Sequence, residues 1–152
     1  HYAANHQEPC RHSTDSIVCE RAIREIYTKA FQIAVKESPI RSIMTSYNPI
    51  NGIWAASNYD LNTQLLRNEW GFDGFVMTDW WARVSNEDGS GCTTNLKGMV
   101  HAENDVYIVH PGDHCEYYAD KQNPYKKYWI NFRSSARWQT RRVTKSHKST
   151  NN

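Results

Sequence analysis

Three short runs of β-type residues each end on side chains that could do chemistry. Tyr47 follows the first run, Asp79 with Trp80 and Trp81 follows the second, and His110 follows the third. Because the carboxyl ends of parallel strands meet at one rim of a sheet, we expect these side chains to lie close together. A carboxylate beside indole faces suits a sugar, since it can attack or stabilise an oxocarbenium-like centre. The alternative is that Asp79 caps the next helix and the tryptophans fill the core.

A metal site has weaker support. His110, His114 and Cys115 are zinc-type ligands, but no second Cys/His pair at zinc spacing accompanies them. The four cysteines form no C-x-x-C motif, so we expect reduced, incidental thiols. We therefore predict no metal and no organic cofactor.

The spacing of hydrophobic residues predicts the helices that flank the sheet and position the residues at its rim. A first helix is predicted to begin near Asp15–Ser16, capped by Ser13, Asp15 or Ser16, and to end at Ser38-Pro39. Its buried face is predicted from steps of three and four residues, at Ala22, Ile23, Ile26, Ala30, Ile33 and Ala34. A second helix is predicted to open at Ser57 and to end before Gly71. Its buried stripe is Leu61, Leu65, Leu66 and Trp70.

Strands and loops separate these helices. Residues 1–12 are predicted as a loop, and strands are predicted at 42–47, 74–78 and 105–109. Other predicted elements are a turn over 48–52, a Gly/Ser-rich loop over 85–93 and a short helix over 94–103. Alternating helices and short buried strands predict an α/β fold with a parallel sheet.

Composition excludes several classes of protein. The chain has 152 residues, enough for one ordinary domain, and 22% of them are charged. Mean hydropathy is −0.80, and no apolar run is long enough to cross a bilayer. The chain begins at His1 without a visible signal peptide, so we expect a processed product or a fragment and favour a cytoplasmic location.

The charge distribution divides the chain. Residues 1–120 carry 9 basic and 16 acidic residues, whereas residues 121–152 carry 9 basic residues and no acid. We predict that the basic tail, residues 113–152, is poorly structured and belongs to no assignable domain. The alternative is an arm that binds nucleic acid or another polyanion, because aromatic residues interleave with its Lys and Arg. Those residues are Tyr125, Tyr128, Trp129, Phe132 and Trp138.

Four stretches of sequence resemble family 3 of the glycoside hydrolases, the β-glucosidase/β-xylosidase family. They are HYAANHQE at 1–8, ERAIREIYTKAF at 20–31, MTSYNPING at 44–52 and LLRNEWGFDGFVMTDW at 65–80. They occur in order without gaps, and the resemblance extends to about Gly112. It implies that residues 1–112 are part of a (β/α) barrel-like catalytic domain, about three βα units of the eight in a full barrel.

The resemblance also implies roles for five residues. Asp79 matches the catalytic nucleophile and Trp80 the neighbouring indole that lines the sugar subsite. His1 and Arg11 match residues that hydrogen-bond sugar hydroxyls, and Tyr47 matches a tyrosine that contacts the nucleophile and the sugar. Arg11 could instead pair only with surface acids, and Tyr47 could be a packing residue.

A retaining β-glycosidase acting on terminal β-linked glucose or xylose is therefore the leading interpretation. The family's acid/base residue lies in a C-terminal domain, which we expect to act as a partner, and the 152 residues alone are predicted to be inactive. The runner-up is a non-catalytic fragment that binds carbohydrate by aromatic stacking. A membrane partner is not expected, and nucleic acid is the least favoured partner.

Overall fold

Helices alternate with short strands along the chain. The structure is a computed structural model, and it describes residues 1–93 and 96–108. In chain order these residues form helix α1 (Glu20–Ala22), a π-helical segment (Ile23–Tyr27), helix α2 (Lys29–Glu37), strands β1 (Ser42–Met44), β2 (Pro49–Ile50) and β3 (Ile53–Trp54), a 3₁₀ turn (Ala55–Ser57), a π-helix (Asp60–Glu69), strands β4 (Phe75–Trp80), β5 (Val84–Ser85) and β6 (Gly91–Cys92), helix α3 (Lys97–His101) and strand β7 (Val106–Ile108).

A parallel sheet of order β1-β4-β7 is the centre of the fold. Strand β4 pairs with β1 through Ile43 and Val76, and with β7 through Met77 and Val106. The predicted parallel sheet is confirmed, and its three strands are those expected from the hydrophobic runs. Two antiparallel hairpins, β2–β3 and β5–β6, stand outside this sheet.

The N-terminal stretch is largely the loop that its polar composition predicted, but one of its residues is anchored to the sheet. Tyr2 is fully buried and forms a parallel bridge with Thr45. Its N–H donates to the Met44 carbonyl at 2.8 Å, and its own carbonyl accepts from the Ser46 N–H at 2.7 Å. This isolated bridge anchors the N-terminal segment beside β1. The buried Tyr2 ring holds a segment that otherwise has no hydrophobic period, and its hydroxyl donates to the Leu61 carbonyl at 2.8 Å.

The first helix begins at Glu20, so the predicted start at Asp15–Ser16 is wrong. Ser16 instead pairs with Ile50, and the side chain of Asn51 holds Val18 by two hydrogen bonds of 2.8 Å, one to its N–H and one to its carbonyl. Hydrogen bonding to the hairpin keeps residues 16–18 extended. The predicted caps are therefore unused, and Cys19 precedes the helix without a side-chain cap.

The buried face of this helix was also predicted wrongly beyond Ile23. Ile26 is 67% exposed and Ile33 is 45% exposed, whereas Thr28 is fully buried. Both the N–H and the hydroxyl of Thr28 donate to the Ile23 carbonyl, at 2.9 and 2.8 Å. This π-type turn inserts one residue into the helical repeat, so the face that follows shifts by one position. The apolar residues that pack on the core are Tyr27, Phe31 and Val35.

The turn cluster at 48–52 and the loop at 85–93 each contain a hairpin that the sequence did not predict. In the first, Asn51 and Gly52 have φ values of 51° and 83°, the left-handed pair typical of a two-residue hairpin turn. In the second, Ser85 pairs with Gly91. Strands of two residues carry too little alternation to be recognised from sequence.

The second helix has the buried stripe that was predicted. Leu61, Leu65, Leu66 and Trp70 are all buried, and Gly71 adopts φ 76° just beyond its end. Its cap differs from the prediction, because Asn58 Oδ1 accepts the Leu61 N–H at 3.1 Å. The Ser57 hydroxyl instead accepts the Ser85 N–H at 2.8 Å, which ties the 3₁₀ turn to the β5–β6 hairpin.

This stripe packs on the face of the sheet. Leu66 and Val76 are 0% exposed and belong to one core cluster with Ile43. A smaller cluster, around Val84, Leu96 and Met99, lies beneath the second hairpin. None of the helices in the described ranges is long and apolar enough to cross a membrane. The predicted boundary at residues 112 and 113, and the whole tail, lie outside the described residues.

Leu66→Ala is expected to lower the free energy of unfolding of the chain by about 2–5 kcal/mol, because it leaves a cavity between helix and sheet. Urea titration followed by tryptophan fluorescence measures this loss. Gln64→Ala, at an exposed position of the same helix, is the control and is expected to stay within about 0.5 kcal/mol of the parent chain. A loss below about 1 kcal/mol for Leu66→Ala would contradict the packing described.

Candidate active site

Asp79 lies near the carboxyl end of β4, the central strand of the sheet. It is 7% exposed, and within residues 1–93 and 96–108 it is the only carboxylate among the buried residues. A buried carboxylate is costly unless other groups compensate its charge. The neighbours of Asp79 therefore define the site.

Three donors surround the Asp79 carboxylate. His1 Nε2 lies 2.7 Å from Oδ2, and the Trp80 backbone N–H donates to Oδ1 at 3.2 Å. The Tyr47 hydroxyl supplies a third hydrogen bond from the loop after β1. Donors of this kind stabilise a carboxylate in its charged form.

Tyr47 keeps its proton in this arrangement. The side chain is buried, with 4% of the residue exposed. Burial, followed by the hydrogen bond to the Asp79 carboxylate, raises the pKa of Tyr47 to about 12. Because a raised pKa means that the neutral phenol persists at higher pH, Tyr47 remains a donor to Asp79 throughout the neutral range.

Two basic side chains cover the ring of Tyr47. The Arg11 guanidinium carbon lies 5.2 Å from the ring centroid, and the His12 ring centroid lies 4.0 Å from it. Arg11 also pairs with Glu8 at 3.0 Å. Arg11 therefore contacts the site by packing on Tyr47. It also forms the surface ion pair that was predicted as its alternative role.

The sheet explains why these segments meet. The Thr45 N–H donates to the Met77 carbonyl at 2.9 Å, so the chain leaving β1 stays beside β4. The bridge between Tyr2 and Thr45 then brings the N-terminal segment to the same end of the sheet. The Ser46 hydroxyl donates to the Ala3 carbonyl at 2.9 Å and holds this segment in place. His1 reaches Asp79 from there.

The two indoles after Asp79 are not core residues, so that alternative is wrong. Trp80 is 44% exposed and Trp81 is 39% exposed. Trp81 has φ 55°, and its N–H donates to the Ile108 carbonyl at 2.9 Å as the chain turns away from β4. Trp80 thus leaves a large apolar surface accessible beside the carboxylate.

Of the five candidate residues, His1, Tyr47 and Asp79 are in direct contact, Trp80 is adjacent through its backbone, and Arg11 joins through Tyr47. Asn5 and His12 are also part of this cluster, and sequence reasoning missed both. No periodicity marks either residue, because both lie on an irregular segment.

Other candidates gain nothing from the structure. His110, His114 and Cys115 lie outside the described residues. In the part of the chain that is described, no group of three or more His, Cys, Asp or Glu side chains is arranged to hold a metal ion.

The family model "Glycosyl hydrolase family 3 N terminal domain" matches residues 1–123. The chain belongs to glycosyl hydrolase family 3. A second model, "AraC-like ligand binding domain", matches residues 97–151 and overlaps the family 3 match over 97–123. Most of that second match lies beyond the described residues.

Relatives are similar over about three-quarters of the chain. A β-glucosidase of Ruminococcus albus is 53% identical over 109 residues, which are 72% of this chain and 12% of the relative. An exo-α-(1→6)-L-arabinopyranosidase of Bifidobacterium longum is 52% identical over 114 residues, covering 74% of this chain and 15% of the relative.

A solved structure extends the similarity to the fold. A β-glucosidase from Paenibacillus barengoltzii superposes with a TM-score of 0.70 and 58% identity, over 72% of this chain and 12% of that chain. The partial α/β barrel-like fold expected for a family 3 N-terminal domain is confirmed. The chain spans between 12% and 15% of the length of these relatives.

Proposed function

We propose that this chain supplies the nucleophile-bearing part of the catalytic domain of a retaining β-glycosidase that acts on terminal β-linked glucose or xylose. The observation that carries the proposal is the Asp79 carboxylate, buried at the end of the central strand and held by His1, Tyr47 and Trp80. Similarity to family 3 β-glucosidases on both the sequence and the structural level supports it.

In the proposed reaction an Asp79 oxygen attacks the anomeric carbon. The bond from that carbon to the glycosidic oxygen breaks, and the departing oxygen takes a proton from a second carboxylic acid. Water then attacks the glycosyl-enzyme, loses a proton to the same residue and frees Asp79 with the anomeric configuration retained. We propose that this acid comes from a further domain of the enzyme, since none of the buried residues described besides Asp79 is an acid.

The other site residues bind and orient. The exposed indole of Trp80 offers an apolar surface for the sugar ring, and Arg11 can donate to hydroxyls. His1 contacts the Asp79 carboxylate and orients it. Tyr47 has a positioning role, because its hydroxyl fixes one direction of approach for the Asp79 carboxylate. No step of this mechanism uses a metal or an organic cofactor.

A second sugar is also a candidate for the unit that the enzyme releases. The B. longum relative is named for α-L-arabinopyranose, at an identity similar to that of the R. albus β-glucosidase. We therefore include an α-L-arabinopyranoside with the β-glucoside and β-xyloside in any substrate panel. The non-catalytic carbohydrate-binding alternative shares the site and differs only in lacking turnover.

Covalent trapping tests the proposal. Residues 1–108 are grafted in place of the matching segment of the P. barengoltzii β-glucosidase, which supplies the remainder of a catalytic domain. A 2-deoxy-2-fluoro-β-glucoside with an activated leaving group is expected to inactivate the graft, and peptide mapping by mass spectrometry should place the label on Asp79.

Asp73 provides the matched control, because it is a surface carboxylate only six positions away that pairs with Arg41 at 2.6 Å. The graft carrying Asp73→Asn should still be labelled at Asp79. Label on Asp73, or on Glu87, would refute the nucleophile assignment. Turnover without any label in the graft would point to a mechanism without a glycosyl-enzyme.

A further inference from the structure

Two short polar contacts join Asn5 to the carboxylate of Asp79 through the ring of His1. The Asn5 side-chain nitrogen, Nδ2, lies 3.0 Å from His1 Nδ1. On the other side of the ring, His1 Nε2 lies 2.7 Å from Asp79 Oδ2. The His1 side chain is 29% exposed and that of Asp79 is 10% exposed, so the carboxylate is the better shielded partner in the second contact.

These two contacts determine where the protons of the imidazole lie. An amide nitrogen only donates, so His1 Nδ1 must present its lone pair to Asn5. A carboxylate only accepts, so His1 Nε2 must carry a hydrogen toward Asp79. Both requirements are met together by the neutral ring with its proton on Nε2. They are not met by the imidazolium, which has hydrogens on both nitrogens.

We propose that Asn5 is a positioning residue that holds His1 neutral, in the tautomer that donates from Nε2 to Asp79. A hydrogen bond donated to the lone pair of a base stabilises the neutral form and opposes protonation. Asn5 therefore offsets the tendency of the Asp79 carboxylate to draw a second proton onto the ring.

The consequence for catalysis rests on the proposed function. A neutral donor orients the nucleophile while leaving its charge available to the anomeric carbon. An imidazolium in the same place would form an ion pair with Asp79 and weaken its attack. The side-chain contact of Asn5 is with His1, and His1 in turn contacts the carboxylate, so Asn5 acts through His1.

Other charged and titratable groups also face this ring. Asp79 lies at the end of β4, and the Tyr47 ring lies edge-on to His1 with centroids 6.0 Å apart. Arg11 and His12 lie against the same tyrosine, and in this chain the α-amino group belongs to His1 itself. All of these groups remain in the variants below, so any change in the titration of His1 reports on residue 5.

Nitrogen NMR of the 152-residue chain with ¹⁵N-labelled histidine tests the proposal. The His1 signals are those that disappear in His1→Gln. In the parent chain at pH 7 we expect one protonated and one unprotonated ring nitrogen, with the hydrogen on Nε2. Asn5→Asp replaces the donor by a carboxylate that accepts from Nδ1, and should raise the titration midpoint of the ring by about 1–3 pH units.

Asn5→Ala removes the donor without adding charge and should raise the midpoint by less than Asn5→Asp does. Asn68→Asp is the matched control, because Asn68 is exposed on the π-helix and hydrogen-bonded to Gln64; it should leave the midpoint unchanged. A doubly protonated His1 in the parent chain at pH 7 overturns the proposal, as does a midpoint for Asn5→Asp within about 0.3 of the parent. If Asn5→Asp fails to fold, the parent tautomer and Asn5→Ala decide. The NMR measurement uses no sugar. If the trapping experiment labelled another carboxylate, the proposed function would fail while the NMR result on Asn5 and His1 would be unaffected.

Discussion

Asp79→Asn is expected to reduce the turnover number of the grafted β-glucosidase for an aryl β-glucoside by roughly 10³–10⁵-fold. Asn keeps the size and shape of the side chain but removes the charge and the nucleophilic oxygen. The covalent route is then closed, and only binding and acid catalysis remain. Stopped and steady-state assays of aryl release measure the loss.

The Michaelis constant should change far less, because Arg11 and Trp80 still meet the sugar. The matched variant Asp73→Asn removes an exposed carboxylate and should retain turnover within about threefold of the graft. If Asp79→Asn kept a tenth or more of the turnover, Asp79 would not be the nucleophile.

Chemical rescue sharpens this test. Asp79→Ala leaves a space at the attacking position that a small anion can enter. With added azide we expect turnover to recover in part and to give the α-glycosyl azide, since a single displacement inverts the anomeric centre. A β-glycosyl azide would require a second protein nucleophile and would contradict the assignment.

The elements that carry the site were predictable because each has a strong period. The hydrophobic runs that become β1, β4 and β7 were recognisable, and parallel pairing then placed Tyr47 and Asp79 at one rim. The stripe from Leu61 to Trp70 follows the helical repeat and was equally clear. These features depend on local sequence pattern. Parallel pairing then aligns the carboxyl ends of the strands, so the residues that follow them can be predicted to lie together.

The features of the fold and the site that were not predicted depend on contacts that leave no periodic pattern in the sequence. Thr28 shifts the face of the first helix by one residue, and the cause is a hydrogen bond to Ile23 that sequence spacing does not show. Likewise, Asn51 holds Val18 extended from a position 33 residues away. His12 and Asn5 lie on an irregular segment, so their contacts with Tyr47 and His1 needed coordinates.

The isolated 152-residue chain is expected to turn over an aryl β-glucoside at least about 10³-fold more slowly than the ~10 per second typical of enzymes. Asp79 is the only acid among the buried residues described. A general acid/base contributes about 10²–10⁴-fold. The described strands β1 and β7 also each pair with β4 on one side only, apart from the Tyr2 bridge, so the described residues form only part of a barrel wall around Asp79.

Substrates with different leaving groups distinguish the two causes of slow turnover, the missing acid and the open barrel. A dinitrophenyl glucoside needs little protonation, so the missing acid should cost it less than it costs a phenyl or alkyl glucoside, whereas an open barrel should slow every substrate alike. The same residues in the graft are the positive control, and the graft with Asp79→Asn gives the background. Turnover near 10 per second by the isolated chain would mean that it holds its own acid. Asp113, Glu116 and Asp120 are then the candidates, each separable by an Asn or Gln variant, because these three acids of the chain lie outside the described residues.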